Sequence, residues 1–203
     1  MNTVHERATP HVTVGVREGE EAADPLSLRT AFTPSGVMRL GYWVEKPEDR
    51  DMHGVLWRRG PQSLGQREDM LKLKCQACRR AARTAKGLVF LVSKKNGVPS
   101  TPRAGIHTDQ PPVCRQHAHA AARNNPELAE HGYVPVLAQR AREYGVIGTP
   151  YILTDNGFEA LETPTTPIPY GHPELRWVVA LRLVRTLLSY SVIDLAPAQG
   201  GDR

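Results

Sequence analysis

Every cysteine in the chain belongs to a short pair whose spacing suits a metal. Cys75-Gln-Ala-Cys78 leaves two residues between thiols, the gap that lets both turn onto one ion. Thirty-five residues later comes Cys114-Arg-Gln-His117. Positions three apart share a helix face, so a cysteine at a helix start and a histidine one turn in can point at one metal. Zinc takes four tetrahedral ligands of this kind, and four protein ligands leave no open position for substrate. Such an ion, Zn2+, holds a fold together rather than activating water. Two other readings stay open. The three cysteines could be unrelated small hydrophobes, or the first pair a redox site, although no thioredoxin-like strand and helix flank it. His107 and His119 are rivals to His117 for the fourth position.

Charge is concentrated around the first pair. Residues 58–103 hold twelve Arg or Lys against two acids, a segment of +10 in a chain of +5, so the remainder is −5. Phosphate backbone is the natural counterpart of such a block. Arg79, Arg80 and Arg83, directly after the pair, are the first candidate contacts, followed by Lys86, Lys94 and Lys95. An acidic protein partner, or a face that is merely solvated, fits the same charge. Arginine outnumbers lysine twenty to six, which weakens any argument from arginine alone.

Elements must position these groups. Residues 36–60 read as a hairpin, GVMRLGYWVE and GVLWRRG joined by EKPEDRDMHG. Trp43 and Trp57 within it are sheet-packing residues or, on a sharper reading, platforms for bases. LKLKC reads as a short strand into Cys75, GLVFLVSKK as a strand, and KNGVPSTPRAGIHTDQPP as a long loop. CRQHAHAAARNN begins a helix, and PELAEHG adds a helical turn. YVPVLA and EYGVIGTPYILT read as two strands, with Pro135 marking an edge or bulge. Gly145 and Gly148 are bend residues, and Asp155-Asn156-Gly157 has hairpin-turn preference. PELRWVVALRLVRTLLSYSVIDL carries the strongest helix signal: Pro173 and Glu174 at its start, Leu181, Val184 and Leu188 on one face, Arg176, Arg182 and Arg185 on the exposed side.

These segments give an organisation of a flexible arm at 1–25, a single α+β domain over 26–195 containing a zinc module at 70–125, and a disordered tail at 196–203. VTVGV at 12–16 is a weak edge-strand candidate. The N-terminal residues lack the pattern of a signal peptide. No apolar run approaches the length of a membrane span, so a cytoplasmic chain with reduced thiols is expected.

A knuckle (LKLKCQAC), a hairpin strand (GLVFLVS) and a helix start giving two ligands (PPVCRQHAHAAAR) together resemble the treble-clef class of zinc fold, over roughly residues 70–125. The segment YVPVLAQRAREYGVIGTPY with the Cys-x-x-Cys is also similar to uncharacterised Streptomyces and related actinobacterial proteins. The resemblance implies an α+β fold: a treble-clef-like module packed with a small antiparallel sheet and a C-terminal amphipathic helix. It leaves function open, since that class hosts many activities. A nuclease of the His-Asn-His type would use His107, Asp109 and His119, but the paired Asp-His of that class is missing. No phosphate loop, nucleophile elbow or H-E-x-x-H occurs. The expectation is a structural-zinc protein binding DNA or RNA, with a regulatory role among the readings and no catalytic residue. The alternative is an interaction or scaffold module using the basic surface, the hairpin or the last helix, with homodimerisation through that helix also open.

Overall fold

The computed structural model describes Ala23, residues 27–96 and residues 105–195. Two long strands organise it. Strand β6, Tyr133–Thr154, runs antiparallel to β9, Val178–Val192. Around them curls a seven-stranded half-barrel sheet. Strand β4, Leu88–Ser93, pairs with the first part of β6, and β5, Ile106–Thr108, pairs with β9 on its other edge. Strand β3, Leu56–Trp57, lies parallel to the start of β9. Strands β7, Gly157–Ala160, and β8, Ile168–Pro169, fold back on the second part of β6. A separate hairpin joins β1, Leu28–Phe32, to β2, Met38–Tyr42. Three helices are short: α1 (Pro61–Lys72), α2 (Ala118–Arg123) and α3 (Pro126–His131).

The expected C-terminal amphipathic helix is strand β9. Its first eight residues, Val178 to Arg185, are all buried. A run covered on both faces loses the alternation that would announce a strand, and its i, i+3, i+4 matches then imitate a helix. Pro173 and Glu174 do start a helical turn, the 3-10 segment Pro173–Trp177 capped by His172, but it stops where β9 begins. Arg182 and Arg185, expected on the exposed side, are 2% and 6% exposed. Arg182 pairs with Asp109 at 2.6 Å. Arg185 donates to the carbonyls of Met70 and Leu71, so its cation caps the negative end of α1.

The sheet is correspondingly large and mixed rather than small and antiparallel, because β6 and β9 each carry several partners. YVPVLA and EYGVIGTPYILT are one 22-residue strand. Pro135 lies inside the sheet, opposite Leu91 of β4, and its carbonyl accepts from Ile193. Gly145 and Gly148 mark the two register shifts of β6. A Cβ on Gly145 would stand 1.9 Å from the Ile168 carbonyl oxygen, and one on Gly148 2.5 Å from that of Val179. The bends exist because only glycine admits these neighbouring backbones.

The hairpin is also displaced. Strand β2 pairs with the residues before it, through a turn at Thr33–Gly36 in which Gly36 takes φ +81°. The turn-forming stretch at 46–54 folds instead around Asp51, whose Oδ1 accepts from the His53 and Val55 amides. Asp49 closes the 3-10 turn Pro47–Asp49 by accepting from the Lys46 amide at 2.7 Å, and pairs with Arg59. LKLKC is not a strand: α1 runs to Lys72, and Leu73 ends it in the left-handed conformation, φ 50°. Few of its side chains are apolar and buried, so no periodicity betrays it. Asp155-Asn156 does form the two-residue loop of the β6–β7 hairpin. The VTVGV segment lies outside the described residues.

The main core cluster packs Leu88–Val92 of β4 with Val136, Ala138, Val184 and Leu187 from the sheet, beneath Ala118, Ala121 and Ala122 of α2 and Leu128 of α3. Cys75 belongs to the same cluster. The candidate ligands therefore stand on the rim of the main core.

Candidate metal centre

The knuckle follows directly from the end of α1. An isolated bridge from Lys74 to Ala81 closes a loop around it. Inside that loop the Cys75 amide donates to the Arg80 carbonyl (2.7 Å) and the Arg79 amide to the Cys75 carbonyl (2.8 Å). The tight return requires a left-handed residue, and Arg79 supplies it at φ 60°. This conformation is costly for a side-chain-bearing residue. Arg79 is held there by Asp69 at 2.8 Å and Glu68 at 3.2 Å on α1.

The second pair arrives on its own support. The Val113 amide donates to Val89 on β4 (2.8 Å), and the Gln76 amide to Pro112 (3.1 Å). Cys114 then stands at the start of the 3-10 turn Arg115–His117, with the His117 amide donating to the Cys114 carbonyl at 2.9 Å. Helix α2 follows at once.

Ligand atoms of Cys75, Cys78, Cys114 and His117 all lie within 4.8 Å of one another. The Cys78 and Cys114 sulfurs are 3.9 Å apart, and Cys75 Sγ is 3.8 Å from His117 Nδ1. Zinc–sulfur bonds of about 2.3 Å set tetrahedral sulfur–sulfur edges at about 3.8 Å. The residues present thus fit a closed four-ligand metal site, with Nδ1 of His117 facing the thiols and Nε2 toward Gln116. Burial pushes the Cys75 thiol up, but hydrogen bonds led by the Cys114 and Cys78 amides outweigh it and bring it down to about 7. Burial, reinforced by the two neighbouring sulfurs, pushes Cys114 up to about 12. Three thiolates in so small a shell repel one another, and a divalent cation is what lets all three ionise.

His107 and His119 have other employment. His107 is buried, shares a 2.9 Å hydrogen bond with Thr186, and lies against the Tyr144 ring. His119 shares one with Tyr133 at 2.9 Å. Asp109 is the buried partner of Arg182. No ligand group joins His107, Asp109 and His119 among the described residues.

The expected treble-clef-like module is not what forms: the four ligand residues come together, but no hairpin lies between the two ligand segments among the described residues. Strand β4 pairs with β6, distant in the chain, and meets the second ligand segment only through the Val89–Val113 bridge. Arg79, Arg80, Arg83, Lys86, Lys94 and Lys95 are all exposed. Arg79 is engaged by Glu68 and Asp69, and Lys72 and Lys74 also share Glu68. Lys86 and Lys94 flank opposite ends of β4, eight positions or about 26 Å apart at ordinary strand rise. Arg103 lies outside the described residues. Trp57 is 1% exposed, which removes it as a stacking platform, whereas Trp43 is 66% exposed.

A polar cluster escaped the sequence reading. Asp51 Oδ2 accepts from Trp57 Nε1 (3.0 Å) and the Tyr170 hydroxyl (3.1 Å), and His53 stacks on Tyr170 with ring centres 3.8 Å apart. Its members are up to 119 positions apart, so no local spacing announces them. Asp51 is saturated by donors, which suits loop fixation rather than chemistry.

Among the described residues no helix is long and apolar enough to cross a membrane. No family model, curated protein or solved structure matches the chain, so its likeness to actinobacterial proteins gains no support, and what places it chemically is the Cys3His cluster.

Proposed function

We propose that the chain is a structural-zinc protein that binds the phosphate backbone of nucleic acid beside its knuckle. The observation that carries this reading is the ridge between knuckle and β4. Arg80, Arg83 and Lys86 are exposed there within seven positions, and no carboxylate among the described residues pairs with them. Zinc fixes the ridge, because Cys78 begins it and Cys114 ties it to the helix layer. Phosphate contacts of this kind confer affinity without sequence choice. Three such contacts weaken binding about 40-fold between 50 and 200 mM salt. Retention of single-stranded DNA, duplex DNA and RNA at those two salt levels tests the idea. The triple change Arg80→Glu, Arg83→Glu, Lys86→Glu should abolish retention while leaving the metal bound. Salt-insensitive or absent binding by the folded, metal-loaded chain would sink it.

A protein-docking role has its own support. Phe32, Val37, Met38, Trp43 and Val44 are exposed large hydrophobics on and beside the β1–β2 hairpin. Clustered apolar exposure of this kind marks interaction surfaces. Self-association or capture of a specific protein, lost on Trp43→Ser and untouched by the ridge variant, would favour that reading.

A further inference from the structure

A cavity of about 260 Å³ opens beside the metal cluster, lined by Ala82, Thr84, Lys86, Val89, Val113, Arg115 and Leu137. Its floor is a row across three segments of backbone. Val89 stands opposite Leu137 in the β4–β6 pairing and is bridged on its other side to Val113. Directly opposed residues point to the same face, so the three aliphatic side chains lie side by side.

Two cations, Lys86 and Arg115, line the same cavity. Lys86 rises from the turn between Thr84 and Gly87. Gly87 holds φ +122°, and a Cβ there would stand 2.6 Å from the Ala138 carbonyl oxygen. Only glycine therefore lets this turn lie so close to β6. Arg115 enters from the second ligand segment, its Nη2 donating to the Asp194 carbonyl at 3.2 Å. Among the described residues no carboxylate lines the cavity.

An apolar floor with two cations at its margin suits a ligand with a hydrocarbon body and one negative end. The volume is below the roughly 300 Å³ at which drug-sized pockets begin, so the ligand is small. We infer that this cavity binds a short-chain carboxylate, its tail on Val89, Val113 and Leu137 and its carboxylate between Lys86 and Arg115. This stands apart from the nucleic-acid reading, although both use Lys86: a bound carboxylate would withdraw one phosphate contact from the ridge.

Calorimetric titration of the full, metal-loaded chain, with no nucleic acid present, tests it. Hexanoate, octanoate and octylamine are the probes. Octanoate should bind about 15-fold more tightly than hexanoate, from two more buried methylenes. Octylamine, with the same tail and the opposite charge, should bind at least tenfold more weakly than octanoate. Lys86→Glu, on an exposed turn, should weaken octanoate at least tenfold with an unchanged melting temperature. If that variant does not fold, Lys86→Gln should still weaken octanoate severalfold. Octylamine binding as tightly as octanoate, no heat at millimolar octanoate, or affinity indifferent to Lys86 would each overturn the assignment.

Discussion

At the scale of single residues, the site rests on four ligands and one strained neighbour. Cys114→Ser should reduce bound metal from one ion per chain to a trace, measured by elemental analysis. Replacing His107 or His119 by Ala should leave the metal content unchanged, because both rings are bonded elsewhere. Arg79 separates two contributions. Arg79→Ala and Arg79→Gly both lose the Asp69 and Glu68 pairs, but only glycine relieves the left-handed backbone. The glycine variant should therefore be the more stable of the two by about 1 kcal/mol in denaturant melts. Asp49 gives a pH signature. The side-chain hydrogen bond from Arg59 outweighs burial and holds its carboxyl below the usual value. Stability from a carboxylate with a lowered pKa is fully present above its unfolded pKa and is lost as pH falls through the folded one. The urea-midpoint difference between wild type and Asp49→Asn should be constant above about pH 5 and shrink progressively below about pH 4.

At the scale of elements, the sheet depends on groups that no local pattern protects. The Asp109–Arg182 pair joins the residue after β5 to the middle of β9, with both side chains almost wholly buried. Removing one member leaves a buried charge uncompensated, at a cost of about 3 to 5 kcal/mol. Arg182→Met should show that loss in equilibrium unfolding, and adding Asp109→Asn should recover part of it. The sequence displayed β4, the helix start after Cys114 and the Asp155-Asn156 turn, since each is set by neighbours in the chain. It concealed β9, whose residues pack against elements distant in the chain: Trp57 and Met70 with Ala180 and Leu183, and Ala118, Ala121 and Leu128 with Val184 and Leu187. It concealed α1 too, because that helix is held by Gln66 forking onto the Leu183 amide and carbonyl rather than by an apolar stripe.

At the scale of the whole molecule, the metal cluster works as a clip. It binds the end of α1 to the start of α2 at the rim of the main core, where Cys75 itself is packed. Chelation should therefore destabilise the domain as a unit rather than loosen one loop. For a chain of this length each kcal/mol lost lowers the melting temperature by about 2 to 4 °C. Removing the ion should cost several kcal/mol, a drop of about 10 °C or more by calorimetry, reversed on adding Zn2+. A melting temperature unmoved by complete metal removal would show that the hydrogen-bonded knuckle is self-sufficient.

Spacing alone picked out the three cysteines and His117, with His107 and His119 as rivals, because a knuckle and a helix turn are local objects; the folded chain brings His117 to the cysteines. Charge counting likewise located the basic block without any coordinates. What encloses the cluster was decided only in three dimensions. The hairpin expected between the ligand pairs is replaced by pairing of β4 with β6, and the expected amphipathic helix is a strand whose first eight residues are all buried. Both reversals have one cause: strand partners are chosen by long-range burial, which leaves no period in the sequence when both faces of a strand are covered.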